Sequence, residues 1–120
     1  MSADMTRLPT NTVADAASVA LSHEPVPPAQ VVEGTPTTGV VVLDSGDGRE
    51  IGVWEMTPGA MRDTEADEVF LVLSGAATVE FEHPHASPII LAPGSVVRLE
   101  AGTRTIWTVR RTLRKLYVAP

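Results

Sequence analysis

The chain contains no cysteine, and of its 120 residues two are Trp, one Tyr and two Phe. The missing cysteine removes disulfides, thiolate metal sites and a thiol nucleophile from consideration. So sparse an aromatic set, with Trp107 alone between basic residues of the last quarter, leaves out the stacking platform that single-stranded nucleic acid needs. Positive charge is also short. Nine Lys and Arg stand against fifteen Asp and Glu, a net charge of −6, which argues against general affinity for nucleic acid or an anionic membrane. Arg98, Arg104, Arg110, Arg111, Arg114 and Lys115 gather in the last quarter and read as solvated strand positions. No apolar run is long enough to span a bilayer. The opening Met1-Ser2-Ala3-Asp4-Met5-Thr6-Arg7 has an early acid where a signal peptide has an apolar stretch. The expectation is a soluble cytoplasmic protein with no nucleic-acid or membrane partner.

A chain of this length amounts to one domain and buries about two thirds of its unfolded surface, enough for a core without staples. Residues 1–11 read as loosely attached. Between Thr12 and Ser22, Val13, Ala16, Ala17, Ala20 and Leu21 recur at helical spacing. Asn11 or Thr12 serves as a cap and Asp15 falls in the first turn, so a short helix is expected. His23-Glu24-Pro25-Val26-Pro27-Pro28 ends it. The expected division is an N-terminal extension over residues 1–29, partly helical or disordered, and a β-domain over 30–120.

From Gln30 onward the texture is one of short apolar runs between turn signals. Runs at 39–44, 50–57, 68–74, 76–82, 88–92, 95–100, 105–111 and 112–118 are separated by Ser45-Gly46-Asp47-Gly48, Pro58-Gly59, Gly75, His83-Pro84-His85, Pro93-Gly94 and Ala101-Gly102. Short strands at this spacing indicate an antiparallel sandwich or barrel. Val69-Phe70-Leu71-Val72-Leu73 and Val40-Val41-Val42-Leu43 are apolar at consecutive positions, whereas a strand with one wet face would alternate. Both faces are therefore expected to be covered, which favours a homodimer.

Glu65-Ala66-Asp67-Glu68 stands directly before that apolar run. The acids are either a solvated turn or the source of an inward carboxylate. The stretches GVWEMTPG (52–59), DEVFLVLSG (67–75), APGSVVRLEAG (92–102) and TIWTV (105–109) resemble the cupin superfamily. Its motifs read G-x5-H-x-H-x(3,4)-E-x6-G and G-x5-P-x-G-x2-H-x3-N. Within it the sequence is most similar to the cupin 3 group that includes (S)-ureidoglycine aminohydrolase-type domains. The resemblance implies an antiparallel jelly-roll barrel over about residues 30–118.

The family's metal ligands do not carry over. Glu68 matches the motif glutamate, but the two preceding histidine positions fall on Arg62 and Thr64, or, with one more intervening residue, on Met61 and Asp63. The third histidine position falls on Thr105, the asparagine on Val109 and the second motif's proline on Glu100. A first-row divalent ion in an open site wants three or four donors, with imidazole the usual neutral one. No transition metal is expected. Glu68 with Asp63 and Thr105 would hold Mg²⁺ or Ca²⁺ only weakly. By this resemblance Glu68 is the inward carboxylate and the best candidate for any catalysis, with Glu65 and Asp67 in water. Arg62 is its partner in the shorter register, and Thr105 and Trp107 face the pocket together by the period of two. Trp54 adds a second apolar wall.

Elsewhere, His83 and His85 flank a proline at a hairpin tip with no third ligand nearby. The Ser45–Gly48 turn lacks the helix and lysine of a phosphate-binding loop. The histidines and serines form no visible nucleophile triad. The leading expectation is a cupin that binds a small molecule without a transition metal. The alternatives are an enzyme resembling the ureidoglycine aminohydrolases and a structural or regulatory dimer with a filled barrel.

Overall fold

A computed structural model describes residues 6–120, and every regular element among them is a strand. In chain order these are β1 (His23–Pro25), β2 (Val31–Glu33), β3 (Thr37–Gly46), β4 (Arg49–Met56), β5 (Gly59–Thr64), β6 (Glu68–His83), β7 (His85–Leu91), β8 (Val96–Leu99) and β9 (Arg104–Ala119). All pairings are antiparallel. One path runs β1-β3-β4-β9-β5-β2, while β6 pairs with β7, β8 and β9. The result is a curled antiparallel jelly roll.

The two longest strands hold it together. β9 pairs its C-terminal half with β4 and its N-terminal half with β5. It also runs beside β6 from Val69↔Val118 to His83↔Arg104. The sequence reading broke each of these strands in two. Gly75 suggested a stop, yet it lies inside β6 with φ at 99°. A Cβ there would run into Thr112 O and Leu113 Cα. The register shifts around it mark a bulge, so the glycine lets two strands approach closely at a bend without ending either. β5 was missed because Gly-Ala-Met-Arg-Asp-Thr has little strand propensity of its own. Six successive pairings with β9 impose the extended form.

The expected helix between Thr12 and Ser22 does not form; a single turn spans residues 16–18. The Asp15 carboxylate accepts Ala17 N at 3.0 Å and Ser18 Oγ at 2.9 Å, a local alternative to helical bonding. Ala16 O and Val19 O both accept from Arg114 Nη1, at 3.1 and 2.8 Å. Val13 is 93% exposed, so the helical spacing serves no buried face.

Residues 1–5 of the stretch read as loosely attached lie outside the described residues, but the rest of it is tied down. Arg7 Nε and Leu8 N donate to Asp44 Oδ1 at 3.0 and 2.9 Å. Ser45 N donates to Thr6 O. Residues 6–22 thus form a strap along the outer side of β3, β4 and β9. Val53 is fully buried although its neighbour Trp54 is the one that faces the barrel interior, so the outer face of β4 is covered as well. The core inside the barrel gathers Met56, Met61, Phe70, Val72, Val79, Leu91, Leu99, Trp107 and Leu113.

Candidate functional site

Alternation along β9 sends Thr105, Trp107, Val109, Leu113, Lys115 and Tyr117 inward, and all six are buried. At one end of the barrel this leaves a cavity of about 180 Å³. Its ionisable wall consists of Asp63, Glu65, Glu68, Lys115 and Tyr117, and its apolar wall of Val40, Trp54 and Trp107. Val40 is 56% exposed and stands at the mouth.

Glu68 does face the cavity, but its partner is Lys115, whose Nζ donates to Glu68 Oε1 at 2.6 Å. The ammonium also lies 4.7 Å from the Trp54 ring centroid, 4.4 Å from Phe70 and 4.7 Å from Trp107. Each ring offers its negative face to the cation. The Trp54 and Trp107 rings are 5.5 Å apart and tilted by 58°. Lys115 was read as one solvated residue of a basic run; its place in the period that carries Thr105 and Trp107 was the signal that could have found it.

Glu65 corrects the sequence reading in the same way. It is buried, not a loop residue in water. Thr105 Oγ1 donates to its Oε2 at 2.6 Å and Trp107 Nε1 donates to the same oxygen at 2.9 Å. Thr105 therefore orients Glu65 and does not face Glu68 across an opening. Backbone bonds from Glu65 N to Thr103 O and from Gly102 N to Glu65 O hold the loop. Asp67 is exposed and accepts Ala101 N at 2.8 Å.

Asp63 also lines the cavity. Burial is the main reason its carboxyl is pushed up to about 6, and the nearby Glu65 charge adds to this. The Thr64 N–H bond at 2.9 Å and the Lys115 charge pull the other way. Tyr117 OH donates to Glu50 Oε2 at 2.7 Å, and burial raises its pKa. Gly52 makes room for that ring, since a Cβ on it would meet Tyr117 at 2.5–2.6 Å.

Arg62 and Thr64 lie on the other side of β5. They border a second cleft, of about 170 Å³, with Gln30, Glu82 and Arg104, and Asp63 lines both this cleft and the cavity. Arg62 Nε is 3.5 Å from Glu82 Oε1 and takes no part in holding Glu68. Met61 and Asp63 are thus the inward pair on β5, in keeping with the longer of the two motif registers. His83 and His85 are exposed at the β6–β7 tip, away from the cavity. A larger hollow, of about 640 Å³, is walled by Pro25, Val26, Pro28, Val31 and Pro36 among others and has no ionisable side chain.

The cavity's donor set does not suit a first-row transition metal. It contains no imidazole. Glu68 is engaged by an ammonium and Glu65 by two neutral donors. Among the described residues, no group of three His, Asp or Glu side chains is arranged to share an ion. No helix of the described residues is long and apolar enough to cross a membrane.

The sequence profile of the EutQ-like cupin domain family, Cupin_3, matches residues 43–117. No curated protein matches the sequence. Among solved structures, the EutQ protein of Clostridium difficile aligns with a TM-score of 0.60 at 17% identity, over 69% of this chain and 67% of that one. A cupin superfamily protein of Desulfitobacterium hafniense aligns at 0.63 and 19% identity, over 98% and 97%. A protein of unknown function from Pseudomonas syringae pv. tomato aligns at 0.70 and 22% identity, over 85% of this chain but 45% of that one. At these identities the likeness is one of fold.

Proposed function

The chain belongs to the EutQ-like cupin domain family, and from that premise we propose that it binds a small polar molecule in the barrel cavity without a transition metal. The observation that supports this reading is the Lys115–Glu68 pair. In a metal-dependent cupin the motif glutamate is a metal ligand; here it holds a tethered ammonium at 2.6 Å. A cavity with apolar walls and a few convergent polar groups is the usual form of a ligand site. The test is a thermal-shift screen of small metabolites, repeated with Glu68→Gln. A hit whose affinity falls about tenfold or more supports the reading, because a charge-assisted hydrogen bond is worth about 1.5–3 kcal/mol. Elemental analysis finding one Mn, Fe, Ni or Zn per chain, lost on Glu68→Ala, overturns it.

A catalytic reading rests on Asp63. A carboxyl near 6 beside a second carboxyl is suited to proton transfer at neutral pH. An activity of the ureidoglycine aminohydrolase type on a small nitrogenous or carboxylate metabolite would use it. Turnover abolished by Asp63→Asn would establish that alternative.

The reading also includes a cytoplasmic homodimer. Val69 pairs with Val118 and Leu71 with Val96 on the outer face, where Val69, Val96 and Val118 are 43%, 69% and 40% exposed. A second copy covering this patch would account for the apolar outer face that the strap leaves open. A regulatory dimer with no ligand remains the outcome if the metabolite screen finds nothing.

A further inference from the structure

Charge is unevenly matched inside the cavity. Three carboxylates, Asp63, Glu65 and Glu68, share its wall with one cation, Lys115. That cation is already engaged by Glu68 and three aromatic rings. Inside the cavity Asp63 and Glu65 have no cation of their own; Asp63 also borders the cleft on the other side of β5 that Arg62 and Arg104 line. Glu65 is 7% exposed, and both of its side-chain donors go to Oε2. Among the described residues Oε1 accepts no hydrogen bond, yet no unpartnered side-chain oxygen is sealed from open space. Glu65 lines the cavity, and Oε1 is its one carboxylate oxygen without a hydrogen-bond partner. A carboxylate this deeply buried needs a counter-charge or hydrogen-bond donors.

We propose that the occupant is a small organic cation, a primary ammonium compound, held by Asp63 and Glu65 Oε1 against the Trp54 ring. This rests on the reading of the cavity as a ligand site. An ammonium carries three donors and supplies the charge that the two acids lack. Trp54 already presents its face to one ammonium in this cavity. The approach past Val40 and Trp54 has the same sign. A neighbouring hollow of about 390 Å³ shares Val40 and Trp54 with the cavity, and its one ionisable wall residue is Glu24. Walls of one charge sign in a low-dielectric cleft concentrate ions of the opposite sign. An anion would meet three carboxylates and a lysine already paired. The space of about 180 Å³ equals that of about six waters at about 30 Å³ each, so the cation has about half a dozen non-hydrogen atoms.

Both tryptophans of the chain line the cavity, so intrinsic fluorescence reads its occupancy directly. The probes are n-propylammonium, 1-propanol and propionate, matched in size and differing in charge, titrated at constant ionic strength. Propylammonium is expected to give a saturable change that the other two do not. Asp63→Asn and Glu65→Gln, each the same shape without the charge, are expected to weaken it about tenfold or more. The second variant keeps the test open if the first perturbs folding. Propionate or propanol binding as tightly as propylammonium overturns the cation assignment and leaves the ligand-site reading standing. Propylammonium binding undiminished in both variants places the cation elsewhere and also overturns it. No change with any of the three overturns the assignment and counts against the ligand-site reading as well.

Discussion

Lys115 Nζ meets Glu68 Oε1 at 2.6 Å inside the barrel, from two strands that pair with each other. The two side chains are 6% and 15% exposed, so each is largely dependent on the other for its solvation. Removing one partner of a buried pair leaves an uncompensated charge, at a cost of about 3–5 kcal/mol. Lys115→Met is expected to lower unfolding free energy by that amount in urea titrations. Lys115→Met combined with Glu68→Leu is expected to recover most of it. Equal losses in the single and double variants would show that packing of the lysine stem, and not the charge pair, sets the cost.

Asp63 gives the stability a pH slope. Its carboxyl rises from an ordinary value of 3.8 to about 6 on folding, with Glu65, Glu68, Lys115 and Tyr117 as its ionisable neighbours in the cavity. Between those values the folded chain holds more protons than the unfolded one, so this group's contribution falls as pH rises through the window. Asp63→Asn is expected to flatten the slope of melting temperature against pH over that interval. Carbon NMR of the Asp63 carboxyl should show its midpoint near 6.

Trp107→Phe tests the Glu65 anchor. The Nε1 donor to Glu65 Oε2, at 2.9 Å, is lost together with part of the buried ring, so the cost includes a cavity as well as the donor. A stability loss of about 1–3 kcal/mol is expected for a buried acceptor deprived of a donor. Thr105→Val removes the other donor and should cost a similar amount. A negligible effect of both would mean that water replaces the donors without penalty.

The strap is held by Arg114, which bonds Ala16 O, Val19 O and Glu55 Oε2. Arg114→Met should raise hydrogen exchange in residues 15–22 while strands β4 and β9 stay protected. Global loss of protection would show instead that the strap is required for the barrel to form.

The apolar outer patch predicts association. Light scattering on the purified chain should give the mass of a dimer, and Val96→Asp should give that of a monomer. A wild-type monomer would leave Val69, Val96 and Val118 exposed in solution as they are here.

The barrel was legible because its turns are written in glycine and proline and its strands in β-branched residues. What escaped was anything set by partners distant in sequence. β5 is a strand because β9 lies beside it, and Gly75 is a bulge because Thr112 approaches it. Glu68 was found by motif spacing, but its partner is 47 residues away and no local pattern pairs the two. Arg62 was the natural partner only while the face of β5 was undecided. Glu65 was lost by leaving it with Asp67 in the solvated turn before Glu68. Counting by two from Asp63 would have directed it inward, as it would have directed Lys115 inward from Trp107.

β9 carries Thr105, Trp107, Lys115 and Tyr117 on a single alternation. One residue inserted between Trp107 and Lys115 would reverse the facing of everything beyond it. Lys115 and Tyr117 would turn outward together and Arg114 would turn in. Substitutions along this strand can be absorbed one at a time, but a change in its length cannot. Lineages descending from this chain should therefore gain and lose residues at hairpin tips such as Gly46–Arg49 and His83–His85, and keep the length of this strand fixed even as its outward side chains drift.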